Sequence, residues 1–310
     1  MCSLDVDELA IALSSGIIEE PLSLLKPGNV SRMYDTHITL RKFVRGCMPI
    51  ISTINECIRD SIRGKICYGY YIYKILKLSL KTSKENTCAG TCLMIVPLAV
   101  SIGFLISRRS LVSLRDVLYN ATILLKRYST CNDTIMFYKA LKMLNISYIR
   151  SRNVVPALPD VNDEDSSEII LKQNLTLWKL LRYCASIDIC SRQVVTYYSD
   201  ILELLKLFKN FLERYGNIDY SILLTYYKAL SLIGDTMILR KYGIEKFFYL
   251  KNIGETMFKI CIENEESCIN ESKKLHEMFV KNGINPGSIA DLIAIMLSLY
   301  RLEEVLSEKC

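Results

Sequence analysis

The sequence predicts an all-α protein that folds as a single globular bundle of about ten or more helices. Apolar residues recur at helical spacing along almost the whole chain of 310 residues, and no comparable run alternates with a period of two. Hydrophobic residues make up 50% of the chain and charged residues 23%, while Gly and Pro are scarce. Such a composition is typical of a globular protein with an ample core and little disorder.

The predicted helices follow from the individual apolar runs. One run places Phe43, Cys47 and Ile51 on one helix face, and a later run does the same for Val117 and Ala121. Because neighbouring segments can merge, the number of helices is approximate. The predicted ranges are 5–19, 39–62, 66–80, 87–107, 111–127, 132–144, 168–187, 189–214, 219–233, 246–262, 271–282 and 288–308.

The clearest break in this pattern is the stretch 152–167, which contains Pro156, Pro159 and several acidic residues. It could be a linker between domains or a surface loop inside one bundle. We favour the loop, because the motifs described below lie on both sides of it and would need a shared site. The prediction is one domain over residues 1–310, with a surface loop near 152–167.

The run 93–106 is apolar enough to suggest a membrane span, and Arg108 and Arg109 follow it as a flank would. It is shorter than the roughly 20 residues that a spanning helix needs. Pro97 and Ser101 also interrupt it. We therefore expect a buried core helix and no membrane partner.

Cysteine usage and the N-terminus bear on the cellular compartment. The chain has 12 cysteines and no CxxC pair, and residues 1–7 show no basic n-region and no signal-like core. We therefore expect reduced cysteines in a cytoplasmic protein. The closest pair, Cys88 and Cys92, lies far in sequence from both histidines, so the ligand spacing of a structural zinc site is missing.

The charge balance constrains the partners only weakly. Lys and Arg number 39 against 33 acidic residues, a formal net charge of +6, and no polybasic block is present. This excess is too small to indicate a nucleic-acid partner, and we expect none. It is compatible with a positive pocket for an anionic ligand.

Five short segments interrupt the apolar pattern with small and polar residues, each at the predicted start or end of a helix. Helix starts present unpaired N–H groups that bind anions, but ordinary capping residues occupy the same positions. The five segments are 26–30 (KPGNV), 86–91 (NTCAGT), 187–192 (IDICSR), 235–243 (DTMILRKYG) and 285–292 (NPGSIADL).

The first three segments each allow a functional and a structural interpretation. Pro-Gly suits a type II turn whose N–H groups face one side, beside the charge of Lys26. Small residues in the second segment allow close approach of a ligand, although Asn86 or Thr87 could simply cap a helix. In the third, the spacing of Asp188 and Arg192 predicts an i,i+4 ion pair, unless Asp188 faces a cavity.

The last two segments combine acids with a helix start. Asp235 could bind Mg²⁺ or take a proton beside the cations Arg240 and Lys241, or it could be an N-cap on a short helix. Ser288 and Asp291 have the spacing of a capping box, at a helix start that is also a potential anion site.

Walker A, GxGxxG, HExxH and GxSxG motifs are absent from the sequence. Taken together and in order, the five segments resemble the triphosphoribosyl-dephospho-CoA synthase family, in particular its archaeal-type members. The matching features are KPGNV followed by Asp35, NTxxGT, the Asp188 segment, the DT and RKxG stretch from Asp235, and NPGSxADL. The resemblance spans residues 20–300, and its first and last motifs are the most specific.

The resemblance implies an all-α enzyme that joins ATP to 3′-dephospho-CoA, releases adenine and leaves a triphosphoribosyl group on the ribose 2′ hydroxyl of the acceptor. The product is the precursor of an acyl-carrier prosthetic group. The carried-over catalytic candidates are Asp35, Asp188, Asp235 and Asp291, of which Asp235 and Asp291 are the predicted metal ligands. The predicted substrate-binding residues are Lys26, Gly28, Asn29, Asn86, Thr87, Arg240, Lys241, Asn285 and Ser288.

Two departures from the family pattern concern the acceptor. Where the bacterial branch has a His-Lys pair after Asn-Thr, this chain has Cys88 and Ala89. Where that branch has Arg-Gly-Gly, this chain has RKYG at 240–243. A phosphate-binding site remains compatible with both changes, whereas the acceptor stays open.

Three functions are therefore considered from the sequence. The first hypothesis is a Mg²⁺-dependent transferase acting at C1′ of the ATP ribose, with ATP and a CoA-like or other nucleotide acceptor as partners. The second is a nucleotide or phospho-sugar hydrolase that uses the same acids on water. The third is a noncatalytic helical nucleotide-binding or interaction module, in which the five segments are only helix caps.

Overall fold

The computed structural model describes residues 5–111, 113–145 and 158–308. These residues form fifteen α-helices and no β-strand, so the all-α prediction is confirmed. The helices are α1 (Val6–Leu22), α2 (Leu40–Cys47), α3 (Pro49–Ile62), α4 (Tyr68–Ser83), α5 (Ala89–Ser107), α6 (Leu114–Tyr128), α7 (Cys131–Leu144), α8 (Ser166–Lys172), α9 (Leu177–Cys184), α10 (Ile189–Val195), α11 (Ser199–Tyr215), α12 (Ile218–Leu232), α13 (Thr236–Glu263), α14 (Glu265–Lys281) and α15 (Gly287–Glu308).

Helix α5 lies at the centre of the bundle, where it packs against α3, α4, α6, α10 and α15. It is long and apolar enough to cross a membrane, but its most apolar window is 78% buried inside the protein. Helices α12 and α13 pass the same test only as a pair bent by 54°. The residues of α5 are apolar on all sides because protein surrounds the helix, as expected for a core helix.

Helices α1 and α15 pack closely because of a glycine. A Cβ on Gly16 would lie 2.1 Å from the backbone nitrogen of Ser298, so no larger residue fits between the two backbones. One cluster of buried apolar residues extends from Leu9 in α1 to Leu306 in α15. The prediction of a single domain is compatible with this cluster and stays a prediction.

Several predicted helix bounds differ from the observed ones. The predicted helix 39–62 divides before Pro49, and the predicted helix 189–214 divides at Tyr197 and Tyr198, whose φ angles are positive. Helix α13 begins at Thr236, ten residues earlier than predicted, and has a kink at Gly243, where φ is 83°. Of the predicted loop, residues 152–157 lie outside the described residues, and α8 already begins at Ser166.

The prediction of reduced cysteines is wrong for one pair. Cys261 and Cys268 form a disulfide across the corner between α13 and α14. The corner at Asn264, whose side chain caps α14, brings the two Cα atoms to 4.5 Å, a normal separation for a disulfide. Sequence spacing of seven residues did not reveal this corner, because the predicted helices left residues 263–270 unassigned.

Candidate active site

A cavity of about 500 Å³ lies where the first turns of α5, α10, α13 and α15 meet, beside the end of α1 and the loop that follows it. All five segments singled out from the sequence contribute residues to its wall. They contribute Asn29 and Val30 from the first segment, Asn86 to Thr91 from the second, Ile187, Asp188, Cys190 and Ser191 from the third, Met237, Arg240 and Lys241 from the fourth, and Asn285, Gly287, Ser288, Ala290 and Asp291 from the fifth.

Asp291 on α15 lies against the first turn of α5. Its Oδ1 accepts hydrogen bonds from the backbone nitrogen of Thr91 at 3.2 Å and from the Thr91 hydroxyl. Burial raises the pKa of Asp291 to about 7, and the hydrogen bond from Thr91 opposes this rise. A carboxyl group with such a pKa can gain or lose a proton near neutral pH, as a general acid or base must.

Gly90 makes this contact possible. A Cβ at this position would lie 2.2 Å from Oδ2 of Asp291 and 2.8 Å from the sulfur of Cys190. Any side chain on residue 90 would therefore displace the carboxylate from the start of α5.

Asp188 is the N-cap of α10, and its side chain also forms an ion pair with Arg240 at the cavity wall. Oδ2 accepts hydrogen bonds from the backbone and the hydroxyl of Ser191 at 2.8 and 2.6 Å, while Oδ1 accepts from Nη1 of Arg240 at 2.8 Å. The predicted pair between Asp188 and Arg192 is wrong. Arg192 pairs with Asp200 at 2.9 Å, because an N-cap lies outside the helix and does not share a face with residue i+4.

The two cations of the fourth segment both line the cavity. Arg240 contacts Asp188 and also donates to the carbonyl of Ile187 at 3.4 Å. Burial lowers the pKa of Lys241, and the carboxylate of Asp235 opposes this effect. The arrangement places two positive charges on one side of the cavity, where they can bind an anionic ligand.

Asp235 lies behind the cavity wall rather than on it. It is 1% exposed, and its two oxygens accept backbone hydrogen bonds from Ile238 and Ile289, each at 2.9 Å. One carboxylate thus caps the start of α13 and holds the start of α15 at the same time. Since Asp235 does not line the cavity, its predicted roles in catalysis and metal binding stay predictions that its position does not support.

Ser288 does not form the capping box suggested by its spacing from Asp291. It lies inside α15, and its hydroxyl accepts a hydrogen bond from the backbone of Met237 at 3.2 Å, while Asp291 contacts α5. Asn285 accepts a hydrogen bond of 2.6 Å from the amide of Asn29. These contacts tie the first, fourth and fifth segments together at the cavity.

Residues of the second segment line the cavity while capping the local turn. The side-chain oxygen of Asn86 accepts from the backbone of Ala89 at 3.1 Å. The hydroxyl of Thr87 is 2.9 Å from that of Ser79. Asn86 therefore accepts from the first residue of α5, although the N-cap position itself is Cys88, whereas Thr87 caps no helix. Both residues lie at the wall of the cavity.

Besides Asp235, three more predicted site residues do not line the cavity. Lys26 is fully buried and pairs with Glu20 at 3.1 Å. Gly28 has a φ of 82°, and its backbone nitrogen donates to Nδ1 of His276 at 3.3 Å, so it shapes the turn. Asp35 is exposed and accepts from the backbone of Leu40 at 2.7 Å. The phosphate contact predicted for Lys26 and the catalytic role predicted for Asp35 have no support from these positions.

Comparison with known proteins identifies the family. The family model described as ATP:dephospho-CoA triphosphoribosyl transferase matches residues 6–310. The chain belongs to this family. The resemblance predicted from the five segments is thereby confirmed, and the family is one of transferases.

The fold of this triphosphoribosyl transferase family member is similar to that of a protein in a crystal structure. A protein from Archaeoglobus fulgidus, provisionally described as a triphosphoribosyl-dephospho-CoA synthase, matches with a TM-score of 0.63 at 21% identity. The match covers 85% of this chain and 97% of that protein. No curated protein sequence is significantly similar to this chain.

Several wall residues were missed from the sequence. Glu20 lines the cavity from the end of α1, and Phe137, Leu141, Leu158 and Cys184 form an apolar part of the wall. Glu20 precedes a proline near the end of a predicted helix, where an exposed acid is the ordinary expectation. The only signal was its place six residues before Lys26, the first residue of the first motif.

The donor set limits how a metal ion could bind. Within the described ranges, no group of three or more His, Cys, Asp or Glu side chains is arranged to hold one. Mg²⁺ is commonly bound by one or two carboxylates together with the phosphates of a substrate. Of the two predicted metal ligands, Asp291 lines the cavity and Asp235 does not, so the residues fit only a metal that arrives with a phosphate chain.

Proposed function

We propose that this chain transfers the triphosphoribosyl group of ATP to the ribose 2′ hydroxyl of 3′-dephospho-CoA and releases adenine. The observation that carries the proposal is that all five motif segments of a member of this family meet at one cavity. That wall combines a carboxyl group that titrates near neutral pH with two cations.

Arg240 and Lys241 are the proposed binding site for the triphosphate. Guanidinium and ammonium groups bind phosphate oxygens by charge-assisted hydrogen bonds, and both side chains line the cavity. Asp188 contacts Arg240 at 2.8 Å and so fixes the direction of its guanidinium group. The cations position the triphosphate, which stays intact in this reaction, rather than activating the γ-phosphorus.

Asp291 is the proposed general base. The bond between C1′ of the ATP ribose and adenine breaks, and a bond from C1′ to the acceptor oxygen forms. The acceptor hydroxyl gives its proton to the Asp291 carboxylate, while adenine leaves with the bonding electrons and takes up a proton. Positive charge develops on the ribose in the transition state, and the nearby carboxylates stabilise it.

A Mg²⁺ ion bound to the triphosphate would neutralise part of its charge. Phosphate oxygens and water would supply most of the ligands, because the described residues build no cage of three acidic, His or Cys side chains. Of the two predicted metal ligands, Asp291 is the one that lines the cavity. ATP and dephospho-CoA are cytoplasmic metabolites, which supports a cytoplasmic location for the protein.

The test is incubation of the protein with ATP, Mg²⁺ and dephospho-CoA, followed by chromatography and mass spectrometry. The expected products are free adenine and an acceptor heavier by one triphosphoribosyl unit. Adenine without an adduct would indicate the hydrolase, and ADP or phosphate as the main product would contradict chemistry at C1′.

A thermal-shift measurement with ATP and Mg²⁺ detects binding, which both enzymes and a nucleotide-binding module would show. Product analysis of the same protein then distinguishes the enzymes from the module. A ligand at 100 times its dissociation constant adds about 2.7 kcal/mol of stability. Binding of ATP without any product would favour the module and overturn the proposed reaction.

A further inference from the structure

A buried ion pair at the end of α1 has no role in the reaction described so far. Glu20 is 4% exposed and lines the cavity, while Lys26 is fully buried beside it. The Lys26 ammonium lies 3.1 Å from Oε1 of Glu20. An ionised pair is costly to remove from water, so its position at a cavity wall calls for an explanation.

The contacts of Lys26 show which group it serves. Its ammonium donates to the backbone carbonyl of Glu20 at 2.6 Å and to the Ser23 hydroxyl at 2.5 Å. An ammonium group has three donors, and the third is directed to the backbone carbonyl of Val30 at 3.5 Å, while the Glu20 carboxylate lies at ion-pair distance. Lys26 therefore has no donor left for a phosphate, and its charge acts on Glu20.

The carboxylate of Glu20 is bound on one side only. Oε1 contacts Lys26, whereas Oε2 receives no hydrogen bond or ion pair from residues in the described ranges. Since Glu20 lines the cavity, Oε2 is available to a ligand there. Burial raises the pKa of Glu20 and lowers the pKa of Lys26, and the opposite charge of each partner counteracts the shift of the other.

The neighbouring residue provides a contrast. Glu19 pairs with Arg301 at 2.9 Å on a partly exposed part of α1 and does not line the cavity. Two adjacent glutamates of the same helix therefore have different surroundings: one is near solvent and one is at the cavity. Only the second has a fully buried cation as partner.

We propose that Glu20 is a catalytic carboxylate that contacts the reacting ribose, and that Lys26 is a positioning residue that keeps Glu20 ionised at the cavity wall. The inference rests on the proposed function, because a transferase acting at C1′ develops positive charge on the ribose. An ionised carboxylate stabilises that charge without exchanging a proton. Glu20 and Asp291 then divide two tasks, charge stabilisation and proton transfer, between two environments.

The first test is Glu20→Gln, with Glu19→Gln as the matched control on the same helix. Stabilisation of transition-state charge contributes about 10² to 10³ in kcat. We expect Glu20→Gln to lower kcat about 100-fold, with the Kd for ATP and Mg²⁺ from calorimetry changing less than about threefold. Glu19→Gln should leave both quantities near those of the wild type.

The second test uses the positioning residue. Without Lys26 the buried Glu20 ionises only at higher pH, so Lys26→Met should be nearly inactive near pH 7 and should regain activity as the pH rises. A purely structural lysine would give no such recovery. Since a lone buried carboxylate can unfold the protein, the double variant Glu20→Gln/Lys26→Met supplies a neutral pair for comparison.

The outcomes separate this proposal from the proposed function. If the wild type forms no triphosphoribosyl adduct, the proposed function fails. If the wild type forms the adduct and folded Glu20→Gln keeps its kcat within about threefold, only the role of Glu20 is overturned. A loss of ATP affinity equal to the loss of kcat would also overturn it, as would wild-type kcat in the folded double variant.

Discussion

Asp235 and Asp291 belong to motifs of the same family, but they lie on opposite sides of the start of α15. Behind the wall, both oxygens of Asp235 accept backbone hydrogen bonds from two helix starts. At the wall, Oδ1 of Asp291 accepts from Thr91, Oδ2 lies 4.0 Å from the sulfur of Cys190, and the residue lines the cavity. We infer that the partners of a carboxylate, more than its motif, decide whether it supports the fold or the chemistry.

The basic residues of the motifs also fall into two groups, one behind the cavity wall and one at it. Lys26 uses its donors on the end of α1 and on the turn that follows it, whereas Arg240 and Lys241 line the cavity. We therefore expect substitutions at the wall to change turnover or substrate affinity. Substitutions behind the wall should change stability or the charge of a neighbour.

The largest effect is expected for Asp291→Asn. Loss of the base should lower kcat at least about 100-fold, within the range of about 10² to 10⁴ for general acid–base catalysis. The amide oxygen can still accept from Thr91, so the melting temperature should stay near that of the wild type. Steady-state kinetics and a thermal melt check both statements, and a kcat within threefold of the wild type would exclude Asp291 as the base.

Gly90→Ala should also lower turnover, because the new methyl group would displace the carboxylate of Asp291. Its Cβ would lie 2.2 Å from Oδ2 of Asp291, and misplacement by about 1 Å can cost about 100-fold in rate. Because both substitutions act through one group, the double variant with Asp291→Asn should be little slower than the slower single variant. Fully additive losses would show that Gly90 acts elsewhere.

The pH dependence follows from the sign of the shift at Asp291. Burial raises its pKa to about 7, so the carboxyl group is protonated below this pH and cannot accept a proton. We expect kcat/KM to fall about tenfold per pH unit below about 7 and to level off above it. This limb should be missing in Asp291→Asn, and its persistence there would assign it to another group.

Arg240→Met should weaken substrate binding more than turnover. Hydrogen bonds to charged groups contribute about 1.5 to 3 kcal/mol, so the KM for ATP should rise at least about tenfold. Arg192→Met is the matched control, since Arg192 pairs with Asp200 and does not line the cavity. An equal rise in KM in both variants would indicate a general loss of structure rather than a lost phosphate contact.

The smallest effect on turnover is expected for Asp235→Asn. The amide leaves one buried backbone N–H, that of Ile238 or Ile289, without its acceptor, which costs about 1 to 3 kcal/mol of unfolding free energy. Turnover of the folded variant should stay within about threefold of the wild type. Urea unfolding measures the loss of stability, and kinetics at urea concentrations below the unfolding transition measure turnover of the folded variant. A 100-fold loss of kcat at wild-type stability would show that Asp235 takes part in catalysis.

Much of the fold could be predicted because helical periodicity records which faces are buried. Helix α5 shows this well, since its continuous apolar sequence corresponds to burial on all sides. The kink at Gly243 and the corner at Asn264 could not be predicted, because neither interrupts an apolar pattern clearly. Both depend on backbone geometry that tertiary contacts determine.

The site could be predicted by segment but not by residue. The motifs lie at helix starts, which explains why the five segments meet where those starts converge. Sequence alone does not show which way a side chain faces at such a start. The sequence therefore predicts substrate binding for Lys26 and metal binding for Asp235, although neither lines the cavity. It gives no sign of Glu20, which precedes the first motif.

The central claim is that the protein breaks the bond from C1′ of ATP to adenine and keeps the triphosphate on the ribose. The most direct measurement uses ATP that carries carbon-14 in adenine and phosphorus-32 in the γ-phosphate, with Mg²⁺ and dephospho-CoA. We expect an acceptor adduct that contains the phosphorus label and no carbon label, with all released carbon label in free adenine. Phosphorus label released as phosphate, or carbon label recovered in ADP, would contradict it.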